Sequence, residues 1–113
     1  MEVRMASVLG IVELLKVARE VDDTCSVQKL QVLCFIAACG EVGTDHATIQ
    51  NRVDVGKSHC SRIVADWSEL TADKRPGPAF VNVRIDPMNS RHRIITLTEK
   101  GREFVNKLME VKL

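Results

Sequence analysis

The stretch Thr44–Leu70, TDHATIQNRVDVGKSHCSRIVADWSEL, decides the fold of this chain. Its apolar residues are spaced for two short helices joined by a tight turn at Asp54–Gly56, with Gly56 as the N-cap of the second. In the second helix, apolar residues recur at i, i+3, i+4 and i+7, which places them on one buried stripe. These residues are Cys60, Ile63, Val64 and Trp67. The stretch therefore predicts a helix–turn–helix over a shared core.

The opposite face of this second helix is small and basic. It carries Lys57, Ser58, Ser61, Arg62 and Ala65. Such a face suits entry into a DNA major groove, where a bulkier surface would be held away from the base edges. Helical hairpins of this kind also occur as plain core elements, so the pattern favours a recognition helix without requiring one.

The first 43 residues predict two further helices. Residues 3–21 are apolar nearly all round, which is typical of a helix covered on two sides. The second cover is either another subunit, as in a dimer, or the rest of the chain. A second helix is predicted from a cap at Thr24 or Ser26 to Cys39, with Gly40 at its end. Its predicted apolar stripe is Val27, Leu30, Leu33, Cys34 and Ala37.

A short connector then leads into the hairpin, and a β-hairpin follows it. Residues 41–43 connect with at most a minimal strand, and Thr44 is predicted to cap the next helix. The segment after Leu70 holds two prolines and a glycine before Phe80, so it cannot continue the helix. Residues 79–86 and 91–97 read as strands around a turn at 87–90. Alternation places Arg91 and Arg93 on one face and His92 and Ile94 on the other.

A final helix completes one domain over residues 1–113. Thr98 is its predicted cap, and its stripe is Phe104, Val105, Leu108 and Met109. The predicted divisions are 1–21 (N-terminal helix, dimerisation), 44–70 (helix–turn–helix), 79–97 (hairpin) and 98–113 (C-terminal helix). The fold class is mainly α with a small β-hairpin, an α+β arrangement.

Charge is distributed unevenly although the net charge is only +1. Residues 1–43 hold four basic and six acidic side chains, whereas residues 74–102 hold seven basic against two acidic ones. Positive charge is thus concentrated just past the helix–turn–helix, as expected of a nucleic-acid-binding surface. A basic hairpin that is only a solvated surface is the alternative.

The four cysteines and three histidines do not form a metal-binding pattern. No CxxC pair occurs, and Cys34, Cys39 and Cys60 fall at predicted buried helical positions. His46, His59 and His92 lack the spacing of ligands on one helix face, so no metal site is expected. Cys25, near a helix start, is either inert or a thiol of lowered pKa that senses oxidants.

Other classes of protein find little support. No apolar run is long enough to span a bilayer, no signal-peptide pattern opens the chain, and a cytoplasmic protein is expected. Phosphate loops, nucleophile elbows and paired carboxylates are missing from the sequence, so neither an enzyme nor a cofactor is predicted.

Three segments resemble the winged helix–turn–helix regulators of the MarR-like group. QVLCFIAACG (31–40) resembles the helix before the hairpin, residues 48–70 resemble the helix–turn–helix, and IITLTEKGREF (94–104) resembles the returning strand of the wing and the following LTEKG junction. The resemblance covers residues 27–106. The chain departs from the usual pattern at Gln50, where a small alanine is common, and at Asp54, where glycine is common.

The resemblance implies a dimeric, sequence-specific binder of duplex DNA, most simply a transcriptional repressor. The expected DNA contacts lie on the helix–turn–helix and on the wing: Thr44, Lys57, Ser58, His59, Ser61, Arg62, Arg84, Asn89, Ser90, Arg91 and Arg93. Arg62 would reach a guanine edge or, alternatively, pair with Asp66. The fold also serves as a protein-interaction module or as a replication or recombination accessory that binds DNA by its shape. A small-molecule or oxidant effector is compatible with the resemblance.

Overall fold

The computed structural model describes residues 2–113, and within them five α-helices accompany one β-hairpin. The helices are α1 (Met5–Val21), α2 (Val27–Ala38), α3 (His46–Val53), α4 (Lys57–Asp66) and α5 (Glu99–Met109). The strands are β1 (Val81–Asp86) and β2 (Asn89–Leu97), and they pair antiparallel. One turn of 3₁₀ helix, Gly40–Val42, links α2 to the helix–turn–helix. The predicted α+β winged arrangement is confirmed.

The core centres on α2, which lies against α3, α4 and the sheet. Val32, Leu33 and Ile36 of α2 are completely buried, and Ser26 caps the helix by accepting a hydrogen bond from the Lys29 amide. The predicted stripe was wrong in part, because Val27 and Cys34 are exposed. Surrounded by several elements, α2 buries a broader surface than a single stripe of period 3.6 describes.

The helix–turn–helix forms as predicted, with Asp54 at its turn. Asp54 takes the left-handed conformation, with φ of 59°, which aspartate tolerates better than most residues and glycine adopts freely. This conformation explains why glycine is common at the position. Val55 is buried in the turn, and Gly56 is the N-cap of α4.

The cap of α3 is Asp45, and the prediction of Thr44 was wrong. The Asp45 side chain accepts a hydrogen bond from the Thr48 amide at 2.8 Å. Thr44 instead pairs with Ile95 of β2 through both of its backbone groups, at 2.9 and 2.8 Å. The minimal strand expected at residues 41–43 is therefore this single bridge, one residue later.

The wing is longer on its returning side than the sequence indicated. Ala79 adopts a positive φ of 58°, and the Phe80 and Val81 amides both donate to the Trp67 carbonyl, so β1 begins at Val81. Asn89 and Ser90 belong to β2, which leaves Pro87 and Met88 as the turn. The pairing register shifts between Ile85 and Asp86.

The LTEKG junction places α5 tightly against the start of the wing. Thr98 caps α5 by accepting a hydrogen bond from the Gly101 amide at 3.0 Å. Gly101 is required here because a Cβ atom would clash with the Phe80 carbonyl oxygen. Phe104, Val105 and Leu108 are buried as predicted, but Met109 is 69% exposed and was wrongly assigned to the stripe.

Helix α1 leaves most of its apolar side chains in contact with solvent. Only Gly10 and Ala18 are buried, and Gly10 lies against the Lys112 carbonyl. The exposed residues include Val8, Leu9, Ile11, Val12 and Leu15. The rest of the described chain, residues 2–113, thus does not wrap this helix. None of the helices in residues 2–113 has the length and hydropathy needed to cross a membrane.

Candidate nucleic-acid interface

The outward face of α4 presents five of the predicted contact residues together. The helix buries Cys60, Ile63 and Val64, so the remaining face is open to solvent. The exposed residues on it are Lys57, Ser58, His59, Ser61 and Arg62. Two positive charges with hydroxyl and imidazole groups between them offer hydrogen-bond donors to base edges and phosphates.

Arg62 is engaged by a carboxylate that the sequence did not point to. Its Nη2 atom lies 3.1 and 3.3 Å from the two carboxylate oxygens of Asp73. Both side chains are more than half exposed, so the pair exchanges readily with solvent and with competing ligands. The alternative pairing with Asp66 is wrong, because the Asp66 carboxylate accepts a hydrogen bond from the Ala72 amide.

Asp73 lies on a loop that hydrogen bonds tie down at its base. The Thr71 amide donates to the Arg75 carbonyl, and the Gly77 amide donates to the Glu69 carbonyl, both at 2.8 Å. Lys74 completes the turn with a positive φ of 64°. The carboxylate is therefore held beside Arg62 by an ordered loop.

The wing provides a second basic surface, on a different element. Arg91 and Arg93 are exposed, whereas His92 and Ile94 are half-buried, so the predicted division between the two faces is confirmed. The Asn89 side chain accepts a hydrogen bond from the Arg91 amide, and Arg93 donates to the Ser90 carbonyl. Asn89 and Ser90 thus order the start of β2.

Arg84 does not share a face with these two arginines. It pairs across the sheet with Ile94, whereas Arg93 pairs with Ile85. Arg84 lines a groove of about 350 Å³ together with Glu41 and Arg102. It therefore lies apart from the exposed arginines of β2.

Thr44 is poorly placed for the phosphate contact expected of it. Its Oγ1 atom is buried and has no hydrogen-bond partner among residues 2–113. The start of α3 next to it already carries the Asp45 carboxylate, which accepts the Thr48 amide and would repel a phosphate. Thr44 is therefore not part of the proposed DNA interface.

A contact that the sequence analysis missed joins the wing to the helix–turn–helix. His92 Nδ1 lies 2.9 Å from Asp86 Oδ2, and His92 Nε2 lies 2.8 Å from Asp45 Oδ2. Hydrogen bonds to Asp86 and Asp45 raise the pKa of His92. Hydrogen bonds that Asp45 accepts from Thr48 and His92 lower the pKa of Asp45 to about 2. The only signal in the sequence was the position of His92 on the inner face of β2.

Cys25 does not have the environment of an oxidant-sensing thiol. Burial raises the pKa of the Cys25 thiol, which opposes the lowered pKa expected of an oxidant sensor. Cys60 is buried and Cys34 is exposed. Within residues 2–113, no cluster of three or more His, Cys, Asp or Glu side chains is arranged to hold a metal ion.

Comparisons of sequence and of structure gave different results. No protein-family model matches the chain, and no curated protein matches it. Solved structures do match. The transcriptional regulator Tm0710 from Thermotoga maritima superposes with a TM-score of 0.70 at 24% identity, over 93% of this chain and 66% of that one. RV1404 from Mycobacterium tuberculosis gives a TM-score of 0.66 at 19% identity, over 93% of this chain and 65% of that one.

A third match is a structure of an S. aureus MepR mutant bound to an oligodeoxyribonucleotide. It has a TM-score of 0.64 at 13% identity, over 97% of this chain and 77% of that one. The present chain spans just under two thirds of the lengths of Tm0710 and RV1404. At these identities the likeness establishes the fold: the chain has the winged helix–turn–helix fold of the MarR-like transcriptional regulators.

Proposed function

We propose that this protein is a sequence-specific regulator that binds duplex DNA, most simply as a repressor. The observation that carries the proposal is the exposed face of α4, small and basic over a fully buried stripe. Such a face lets a helix approach base edges closely. The fold around this face supports the same role, because it is shared with a MepR structure bound to an oligodeoxyribonucleotide.

Arg62 is the proposed base-reading residue. Its guanidinium fork can donate two hydrogen bonds to the O6 and N7 atoms of a guanine. Lys57, Ser58, His59 and Ser61 lie on the same exposed face and would contact neighbouring bases or phosphates. To reach DNA, Arg62 must leave Asp73, and an exposed ion pair costs at most about 1 kcal/mol to break.

The wing is proposed to contact the DNA backbone or the adjacent minor groove. Arg91 and Arg93 supply the charge, on the exposed face of β2. Asn89 and Ser90 hold the start of the strand in place for them. Arg84, on the other face of the hairpin, would act through its charge.

The proposed assembly is a homodimer formed through α1. Exposed leucine, isoleucine and valine side chains along this helix form a contiguous apolar face, which a monomer would leave in water. A twofold dimer would present two α4 helices to DNA. The corresponding binding site is an inverted repeat.

Replacing Arg91 with alanine is expected to weaken binding equally on all duplexes. A contact to phosphate carries no base information but releases about one counterion. The slope of log affinity against log salt concentration should therefore fall by about one, as measured by fluorescence anisotropy of a labelled duplex between about 50 and 200 mM salt. An unchanged slope would remove Arg91 from the interface, and no binding at low salt by the unaltered protein would overturn the proposed function.

Replacing Asp73 with asparagine is expected to strengthen DNA binding by up to about fivefold. The change frees Arg62 from an exposed ion pair worth at most about 1 kcal/mol. Glu69→Gln is the matched control, because it removes the same negative charge as Asp73→Asn. Glu69 is exposed and makes no ion pair within residues 2–113. Equal affinities for the two variants would show that only net charge matters and that Asp73 does not restrain Arg62.

A further inference from the structure

His92 bridges two carboxylates from separate parts of the fold. Asp86 ends β1 at the turn of the wing, and Asp45 is the N-cap of α3 in the helix–turn–helix. The two ring nitrogens of His92 contact one oxygen of each, at 2.9 and 2.8 Å. We call this arrangement of Asp45, Asp86 and His92 the wing clamp.

Both carboxylates are oriented by the backbone independently of His92. The Oδ1 atom of Asp45 accepts the Thr48 amide, and the Oδ1 atom of Asp86 accepts the Met88 amide. In each case the second oxygen, Oδ2, is left to face the imidazole. The clamp therefore links a helix cap to a wing turn through groups that are already fixed.

The chemistry of the clamp requires a protonated imidazole. An ionised carboxylate only accepts hydrogen bonds, and a neutral imidazole has a single N–H group. A neutral His92 could satisfy Asp86 or Asp45, but the lone pair of its other nitrogen would then face a carboxylate oxygen less than 3 Å away. Only the imidazolium donates to both.

We propose that His92 is a positioning residue of the DNA-binding surface: when protonated it holds the wing against the start of α3, and its deprotonation loosens the wing and weakens DNA binding. The inference rests on the proposed function for its effect on DNA. The clamp itself is a property of the free protein. His92 lies between Arg91 and Arg93, so the strand it anchors is the one that carries the wing charges.

Other charged groups near the clamp shift the pKa values of neighbouring groups without displacing the charge on His92. On β1, Arg84 lies close enough to Asp86 to help lower the pKa of that carboxyl, after the larger effect of His92. On α3, burial lowers the pKa of His46, against the opposing effect of Asp45. His92 therefore remains the imidazole whose charge the two carboxylates favour.

The sign of the pH dependence follows from the raised pKa of His92. The clamp is fully formed below the ordinary histidine pKa of about 6.5 and is lost as pH rises through the raised value. Asp45, with its pKa of about 2, stays ionised throughout this range. Weakening on the alkaline side is thus the expected direction.

The first test is an NMR titration of the His92 ring in the free protein, with amide exchange of β1 and β2 followed alongside. We expect a midpoint above about 6.5, a lower midpoint in Asp86→Asn, and weaker protection of the hairpin amides above the midpoint, measured relative to the intrinsic base-catalysed exchange rate at each pH. Asparagine at residue 86 can still accept the Met88 amide, so that variant preserves the turn. A midpoint at or below about 6.5 would overturn the clamp. Protection of the hairpin amides that stays the same on both sides of the midpoint would also overturn it.

The second test measures DNA affinity across the same pH range. We expect the unaltered protein to lose about threefold to tenfold in affinity, corresponding to two partly exposed ion pairs. His92→Gln should show no such loss and should match the weaker, high-pH binding throughout. His59→Gln, which removes an imidazole from the proposed contact face of α4 and leaves the clamp intact, should bind more weakly at every pH but keep the loss on raising the pH.

The two tests separate the two proposals. If His92→Gln retained the pH dependence of the unaltered protein, the positioning role would be overturned. If DNA binding were missing at every pH while the titration and exchange behaved as expected, the clamp would stand and the proposed function would fall.

Discussion

Replacing Trp67 with alanine is expected to lower the free energy of unfolding by about 3–5 kcal/mol. Trp67 is 1% exposed and stacks on Phe80 with ring centroids 5.8 Å apart. Its indole N–H donates to the Lys29 carbonyl at 2.9 Å, and its own carbonyl accepts the two amides that begin the wing. The side chain thus joins α2 to Phe80 at the start of the wing, and the backbone carbonyl of the same residue holds the two amides that follow. Because domains have only about 5–15 kcal/mol of stability, the loss should be severe.

Trp67→Phe is the matched variant. It keeps an aromatic ring against Phe80 but removes the indole N–H that donates to the Lys29 carbonyl, so a loss smaller than that of alanine is expected. Trp67 is the only tryptophan of the chain, so urea unfolding must be followed by far-ultraviolet circular dichroism in both variants. A loss below about 1 kcal/mol for the alanine variant would contradict the central role given to this residue.

Replacing Arg62 with alanine is expected to weaken binding to the preferred DNA site by about 1–3 kcal/mol, or roughly fivefold to 150-fold. The reason is the loss of a bidentate contact to one guanine. Preference at that base pair should relax while preferences elsewhere persist. Binding to unrelated duplexes should change only by the small effect of one lost charge.

Two controls make the Arg62 result specific. Arg62→Lys keeps the charge but cannot form the planar fork, so it should also lose most of the base preference. Asp73→Asn keeps Arg62 and removes its carboxylate partner, so it should act in the opposite direction. Equal weakening by Arg62→Ala on every duplex would assign Arg62 to the DNA backbone instead of to a base.

Features set by local pattern could be predicted from the sequence. The stripe of α4, the turn at Asp54–Gly56 and the cap at Thr98 all depend on residues within about one helical turn of one another. The exposure of the basic face of α4 follows directly from that stripe. These are periodicity and capping effects, which need no knowledge of distant contacts.

Features set by distant contacts could not be predicted from the sequence. Thr44 and Asp45 are both acceptable caps, and the choice between them was made by the pairing of Thr44 with Ile95, 51 positions away in the printed sequence. Arg62 pairs with Asp73 on the loop after α4 instead of with Asp66 on its own helix. His92 met Asp45 only because the wing folds back beside the start of α3. Tertiary packing overrode local preference in each case.

Base reading by α4 is tested most directly by selection from a pool of random duplex DNA with the purified protein, carried out at two salt concentrations and followed by sequencing. We expect enrichment of an inverted repeat, with at least one guanine per half-site whose enrichment disappears in Arg62→Ala. Salt-sensitive binding without any enriched sequence would contradict base reading by α4 and indicate an architectural or accessory role. No binding at the lower salt concentration would contradict the DNA-binding function itself and bring forward an interaction with another protein.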